Sequence, residues 1–299
     1  MHGTWPAQSA SNARIVPPLA AFGRLIRLKS QTGTFLLLLP TLWALVLASR
    51  GLPPWRLMII FLIGSFLMRS AGVVLNDLAD RSLDRHVTRT QSRPLASGEL
   101  TPGHAIAILI VLVALAAMLL LLLDPMTIML SPMALLLAAL YPFAKRVIHI
   151  PQAMLGLAFG WGTIMAWSAA QGTVTAPAWC IYAATLCWAI GYDTIYALQD
   201  QDDDRRIGIK SSAILFGSRT WLAVGVALGG MLLFLSIAGW LTQVGWFFYL
   251  VLIAVGFFFA WQIRRLRRNV SASTALSMFQ QHAWIGTAIL GGLLGSLLL

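Results

Sequence analysis

An all-α integral membrane protein with nine transmembrane helices is the fold class this sequence predicts, on three observations. The 299 residues are 59% hydrophobic and only 10% charged, with a mean hydropathy of +0.79, whereas about a quarter of an ordinary soluble domain is charged. Nine runs are apolar and close to the ~20 residues that span a hydrocarbon core; they lie at 31–49, 57–76, 104–123, 126–144, 151–170, 177–198, 220–241, 244–263 and 276–298. Eight of the ten acidic residues fall in two short clusters, each at the end of such a run.

Taken in order, residues 1–23 are polar, rich in Pro and Ala and aperiodic, which predicts a flexible N-terminal segment ahead of a single transmembrane domain over 24–299. The first run follows Arg24, Arg27 and Lys29 and is too long for a signal-peptide core, so it is expected to remain in the mature protein. The second contains Arg69 and runs into "NDLADRSLD" (76–84). The connection from 77 to 103 is long for a helix link, and such loops are commonly functional, so a cap over a site is expected here. The fourth run ends in "YPFAKR" (141–146). On the sixth, Cys180 and Cys187 share a face but stand too far apart to bridge, which makes them packing residues. That run leads into Asp193, Asp200 and Asp202 to Asp204, and the eighth ends at Arg264, Arg265, Arg267 and Arg268.

Basic residues set the orientation. With the N-terminus in the cytoplasm, eighteen of the twenty-one Lys and Arg residues lie on the cytoplasmic side; Arg50 and Arg56 lie outside and Arg69 sits within the second helix. The net charge of +11 then reflects membrane orientation and anionic lipid or substrate, with no need for nucleic acid.

Both acidic clusters end helices that run from outside to inside, so they share one depth. Asn76, Asp80 and Asp84 are four apart and form one stripe if the helix continues, with Asp77 beside Asp80; Asp200 and Asp204 repeat the spacing 120 residues later. The offset predicts two four-helix halves, plus one helix, facing each other across one site. Carboxylates at helix C-termini oppose the macrodipole at about 0.3–1 kcal/mol each, and ionisable groups near hydrocarbon cost more, so a cation must offset them. Oxygen ligands with open positions suit Mg²⁺ shared between carboxylates and substrate phosphates. The five histidines are scattered and form no zinc signature.

Cations accompany the acids. Arg81, Arg85, Arg89 and Arg93 follow the first cluster, Arg205, Arg206 and Lys210 follow the second, and Lys145 and Arg146 end the fourth helix at the same level. Acids for a metal interleaved with guanidinium forks for phosphate oxygens point to a diphosphate ligand. Arg69 lies two turns deeper than Asn76 on the same face, where a charge without function would be expensive. Tyr141, Tyr192, Tyr196 and Trp188 gather near the inner ends of the fourth and sixth helices, as an interfacial belt or as ring faces for a carbocation.

"NDLADRSLD" (76–84) resembles the first aspartate-rich signature, N-D-x-x-D-x-x-x-D, of the UbiA superfamily of intramembrane prenyltransferases, and "YDTIYALQDQDDDRRIGIKSSAILFG" (192–217) resembles the second, closest to its 4-hydroxybenzoate branch. "PTLWAL" (40–45), "RTQSRPLASG" (89–98) and "YPFAKR" (141–146) are similar too. The resemblance implies nine helices around a central cavity in which Asp80 and Asp84 face Asp200 and Asp204, with Asn76 and Asp77 contributing, to hold Mg²⁺ on a polyprenyl diphosphate. Arg81 and Arg146 match positions implicated in diphosphate binding or activation. The implied reaction prenylates 4-hydroxybenzoate ortho to its hydroxyl, a ubiquinone-pathway step at the bacterial inner membrane. "RLKSQTG" (27–33) departs from the branch, which reads R-x-D-[KR]-P-[IT]-G, at Lys29, Ser30 and Gln31. A relative with another aromatic acceptor and, from a different class, a divalent-cation transporter are the competing readings.

Overall fold

The computed structural model describes residues 18–208, 210–268 and 270–298, and every regular element among them is helical. Leu- and Ala-rich runs satisfy their backbone groups internally only as helices when no water is at hand. The long helices are α2 (Thr32–Ser49), α3 (Trp55–Ala79), α5 (Pro102–Leu120), α6 (Pro125–Leu140), α8 (Pro151–Gln171), α9 (Ala176–Ala197), α12 (Thr220–Leu241), α13 (Trp246–Leu266) and α14 (Ala272–Leu298). Short helices join them: α1 (Pro18–Leu25), α4 (Arg81–Asp84), α7 (Ala144–Val147), α10 (Gln201–Ile207) and α11 (Ser212–Phe216). Each long helix matches one expected run to within a few residues.

Local chemistry sets their starts and stops. Pro102, Pro125 and Pro151 occupy first-turn positions, where a missing N–H costs nothing. Asp124 caps α6 by accepting from the Thr127 amide at 3.0 Å. Gly172 closes α8 in the left-handed conformation, φ 69°.

Among the described residues, seven helical stretches are long and apolar enough to cross a membrane by length and composition. The two remaining long helices, α9 and α14, carry Asp193, and Gln280, Gln281 and His282, respectively. Of the segment 1–23 expected to be flexible, residues 1–17 lie outside the described residues, and 18–23 belong to α1, which buries Ala21 and Leu25.

The buried core does not divide four and four. One large cluster joins α2, α8, α9, α12, α13 and α14; a smaller one joins Ala21 and Leu25 of α1 to Leu67, Ala71 and Val74 of α3 and Ala105 and Leu112 of α5. Close helix approach explains much of the large cluster: a Cβ on Gly156 or Gly160 of α8 would lie 2.8 Å from Leu186 or Tyr182 of α9. Trp43 and Trp188 pack at 5.1 Å between ring centres, and each satisfies its indole N–H, Trp43 on the Gly286 carbonyl at 3.0 Å and Trp188 on His282 Nδ1 at 2.8 Å. Ile110, Met118, Met129 and Leu136 stay exposed on α5 and α6, as lipid-facing residues do. Between the two clusters lies a cavity.

Candidate active site

The cavity encloses about 890 Å³ and is walled by α2, α3, α5, α6, α8 and α9, with the 85–100 segment over its acidic end. Both acidic clusters open into it: Asn76, Asp77, Asp80 and Asp84 from α3, its C-terminal junction and α4, and Asp193, Asp200 and Asp204 from α9, the turn after it and α10. α3 ends at Ala79, yet the Asp80 and Asp84 amides still donate to the carbonyls four residues back, at 2.9 and 2.8 Å, so the stripe expected from spacing survives the break.

The acids are held by bases from distant parts of the chain. Arg27 donates to both Asp77 oxygens at 2.9 Å, and Arg93 reaches Asp77 Oδ1 at 3.1 Å and Asp84 Oδ2 at 2.8 Å. Lys145 donates to Asp80 Oδ2, and Arg89 forks onto Asp200 while its other nitrogen reaches the Tyr196 hydroxyl at 3.0 Å. The Arg89 fork ties the loop after the first cluster to the second cluster. Burial raises the Asp80 carboxyl above the usual range against the pull of Lys145, and burial, then the neighbouring Asp200, pushes Asp204 up to about 6. Burial likewise lowers the Arg27 guanidinium.

Asp77 is only 1% exposed and both its oxygens are engaged. In this structure it anchors Arg27 and Arg93, at the position the resemblance gives to a contributor to the metal site. Replacing it with alanine strands Arg27, leaves Arg93 with Asp84 alone and should lower stability by about 3 kcal/mol; a detergent thermal melt measures this, and a transition equal to that of the unaltered protein would refute it.

Deeper in the cavity, Arg69 lines the wall with Tyr141 and Tyr192. Its Nε is buried without a partner, and among the described residues no carboxylate pairs with it. The space for its guanidinium depends on Gly33, where a Cβ would sit 2.4 Å from Nε. Gly33→Ala should therefore displace Arg69 and weaken binding of an anionic ligand there about tenfold; titrating that ligand against both proteins tests it, and equal affinity would refute it.

Tyr196, Arg93, Lys145 and Lys210 line the cavity as expected, Lys210 also donating to the Val147 carbonyl at 2.7 Å. Arg81 and Arg146 do not line it. Arg81 donates to the Leu95 carbonyl at 3.3 Å, and Arg146 donates to the Ala79 carbonyl at 2.6 Å beside the Phe143 ring. Arg27, counted from sequence as an orientation signal, and Arg89, expected only as one of the cations near the diphosphate, both hold acids of the site. For Arg27 the "RLKSQTG" segment was the one signal, while Arg89 stood both in "RTQSRPLASG" and in the run of cations after the first cluster.

The donor set suits a hard divalent ion: amide and carboxylate oxygens, with the buried Asp80 Oδ1 unpartnered. Among the described residues, no three acidic, His or Cys side chains converge as a ready-made cage. This fits a metal completed by substrate phosphates, with Asn76, Asp77, Asp80, Asp84, Asp200 and Asp204 as the residues that would hold it.

Residues 37–285 match the UbiA prenyltransferase family. The chain is 45% identical over 275 residues to a 4-hydroxybenzoate octaprenyltransferase of Klebsiella pneumoniae, covering 92% of this chain and 95% of the relative. It is 46% identical over 276 residues to the enzyme of that name from Tolumonas auensis, covering 91% and 95%. Its fold is similar to that of an apo UbiA homolog from Aeropyrum pernix K1, with a TM-score of 0.76 at 23% identity over 87% of this chain and 96% of that one. It is also similar to a UbiA homolog from Archaeoglobus fulgidus bound to GPP and Mg²⁺, with a TM-score of 0.69 at 16% identity over 93% and 100%. With its paired acidic clusters opening into one membrane-embedded cavity, the chain belongs to the UbiA prenyltransferase family.

Proposed function

We propose that this chain transfers a polyprenyl group from polyprenyl diphosphate to the ring carbon of 4-hydroxybenzoate ortho to its hydroxyl, with Mg²⁺, in ubiquinone biosynthesis. The observation that carries the reading is the division of one cavity into a charged mouth, an unpaired Arg69 below it and an apolar depth. A lipid diphosphate and a small carboxylated acceptor need these three environments.

When bound, the metal draws charge from the leaving diphosphate. Arg89, Arg93, Lys145 and Lys210 can turn from their present acceptors to the phosphate oxygens, giving fixed charge-assisted hydrogen bonds where negative charge develops. As the allylic C–O bond breaks, Tyr141, Tyr192, Tyr196 and Phe279 offer ring faces to the carbocation. The apolar wall keeps water from capturing it. Arg69 holds the acceptor carboxylate so that the phenol ring presents its ortho carbon; a C–C bond forms and the ring proton leaves.

All nine long helices are taken to cross the membrane, α9 and α14 with their polar residues turned inward, in the bacterial inner membrane with the acidic end and the N-terminus in the cytoplasm. Most Lys and Arg residues then lie on that side. Membrane lipid surrounds the fold, and the donor enters from it.

Purified membranes supplied with Mg²⁺, polyprenyl diphosphate and a panel of aromatic acceptors test the reading. Prenylated 4-hydroxybenzoate is the expected product. Product from a different aromatic acceptor alone would overturn the acceptor, and Mg²⁺ flux without any transfer would overturn the enzyme reading.

A further inference from the structure

α3 lines the cavity through most of its depth, and one row of cavity-facing residues is Ile60, Gly64, Met68, Gly72, Asn76 and Asp80, at four-residue intervals. Two glycines in that row need a reason, because glycine weakens a helix interior relative to alanine. Elsewhere close packing supplies it: a Cβ on Gly191 would lie 2.6 Å from Leu228, and one on Gly292 2.9 Å from Val251. A Cβ on Gly64 or Gly72 would meet nothing within 4 Å. The other glycines inside the long helices with such open surroundings, Gly229 and Gly291, are exposed on the outer surface.

The row has a polar end and an apolar one. At its head Asp80 is 1% exposed, with Oδ1 unpartnered. Toward its foot the lining is apolar and includes Phe61, Leu120, Leu123 and Phe159. At 1.5 Å per residue, Gly72 lies about 12 Å and Gly64 about 24 Å along the helix from Asp80. A ligand with an anionic head at the acids would run its tail past Gly72 first and Gly64 second.

We infer that Gly64 and Gly72 set the length of prenyl chain the cavity admits, by withholding side chains where the tail must pass; this rests on the prenyl-transfer reading above. Gly72 governs room for the first units of the chain and Gly64 room for the later ones. A Cβ at either position enters tail space without meeting any atom within 4 Å.

The test compares Gly64→Leu, Gly72→Leu and the milder Gly64→Ala and Gly72→Ala with the unaltered full-length protein in detergent, using geranyl and octaprenyl diphosphate. The expected result is that Gly64→Leu lowers the octaprenyl-to-geranyl ratio of kcat/KM about tenfold or more. Gly72→Leu should impair both donors, and the alanine variants should follow the same order with smaller effects. Gly229→Leu, on the outer surface, should leave the ratio unchanged. A ratio within about twofold of the unaltered protein in Gly64→Leu, or the same shift in Gly229→Leu, would overturn the inference. A parallel arm reads the thermal shift produced by each diphosphate without turnover. If the unaltered protein transferred no prenyl group, the reaction would be at fault, while loss of the octaprenyl diphosphate shift in Gly64→Leu alone would still uphold the gauge and its retention would sink it.

Discussion

Replacing Asp80 or Asp204 by alanine is expected to lower prenyl transfer by about 10²- to 10³-fold while the purified protein keeps its melting transition. Asp80 holds one oxygen on Lys145 and leaves the other buried without a partner, the atom a cation would take. Its loss frees the single cation Lys145, whereas Asp77 holds both Arg27 and Arg93, so the fold tolerates the change better than it tolerates loss of Asp77. Asp204 faces the cavity from the second cluster and shares its surroundings with Asp200. Asp124→Ala provides the contrast. That residue caps α6, so its removal should cost about 1 kcal/mol of stability without a selective loss of transfer. Turnover assays over a Mg²⁺ titration, with melts on the same samples, measure both effects, and unaltered transfer in Asp80→Ala would exclude it from the metal site.

Arg69→Leu should raise KM for 4-hydroxybenzoate roughly 10- to 100-fold and leave the donor KM nearly unchanged. The estimate assumes the loss of one charge-assisted contact to the acceptor carboxylate, worth about 1.5–3 kcal/mol. Burying a cation at this depth is costly; among the described residues no carboxylate pairs with Arg69, and Asp193 acts on it only through space. A ligand carboxylate would repay that cost. Arg69→Leu therefore removes a charge the fold does not need, and its melting transition should hold or rise. Steady-state kinetics with each substrate varied in turn separates the cases; an equal rise in both KM values would make Arg69 a part of the donor site.

Much of this architecture could be read from residue order. Apolar runs located the long helices because lipid demands internally bonded backbone, and counting acids located the mouth of the cavity because so few charges are present. The roles of the arginines after Asp84 could not be read in that way. Positions 81, 85, 89 and 93 would share one face if the helix continued, but the regular helix stops at Asp84 and turns follow. Arg81 and Arg85 accordingly tie the loop to the Leu95 and Ala96 carbonyls, whereas Arg89 and Arg93 reach into the cavity. Arg27 and Asp77 are fifty residues apart in sequence, and no local pattern announces a pair of that kind.

Six acids and six bases line the cavity, namely Asp77, Asp80, Asp84, Asp193, Asp200 and Asp204 against Arg27, Arg69, Arg89, Arg93, Lys145 and Lys210. The chamber is thus formally neutral in a chain that carries +11, and the surplus lies elsewhere on the protein. A neutral chamber exerts little long-range pull of its own, so any steering of a charged headgroup falls to the surplus cations around it and should weaken as ionic strength rises. Capture takes place at contact, by exchange of partners: Arg89, Arg93 and Lys145 each release a carboxylate as they swing to a phosphate, and departure of the inorganic product closes the pairs again.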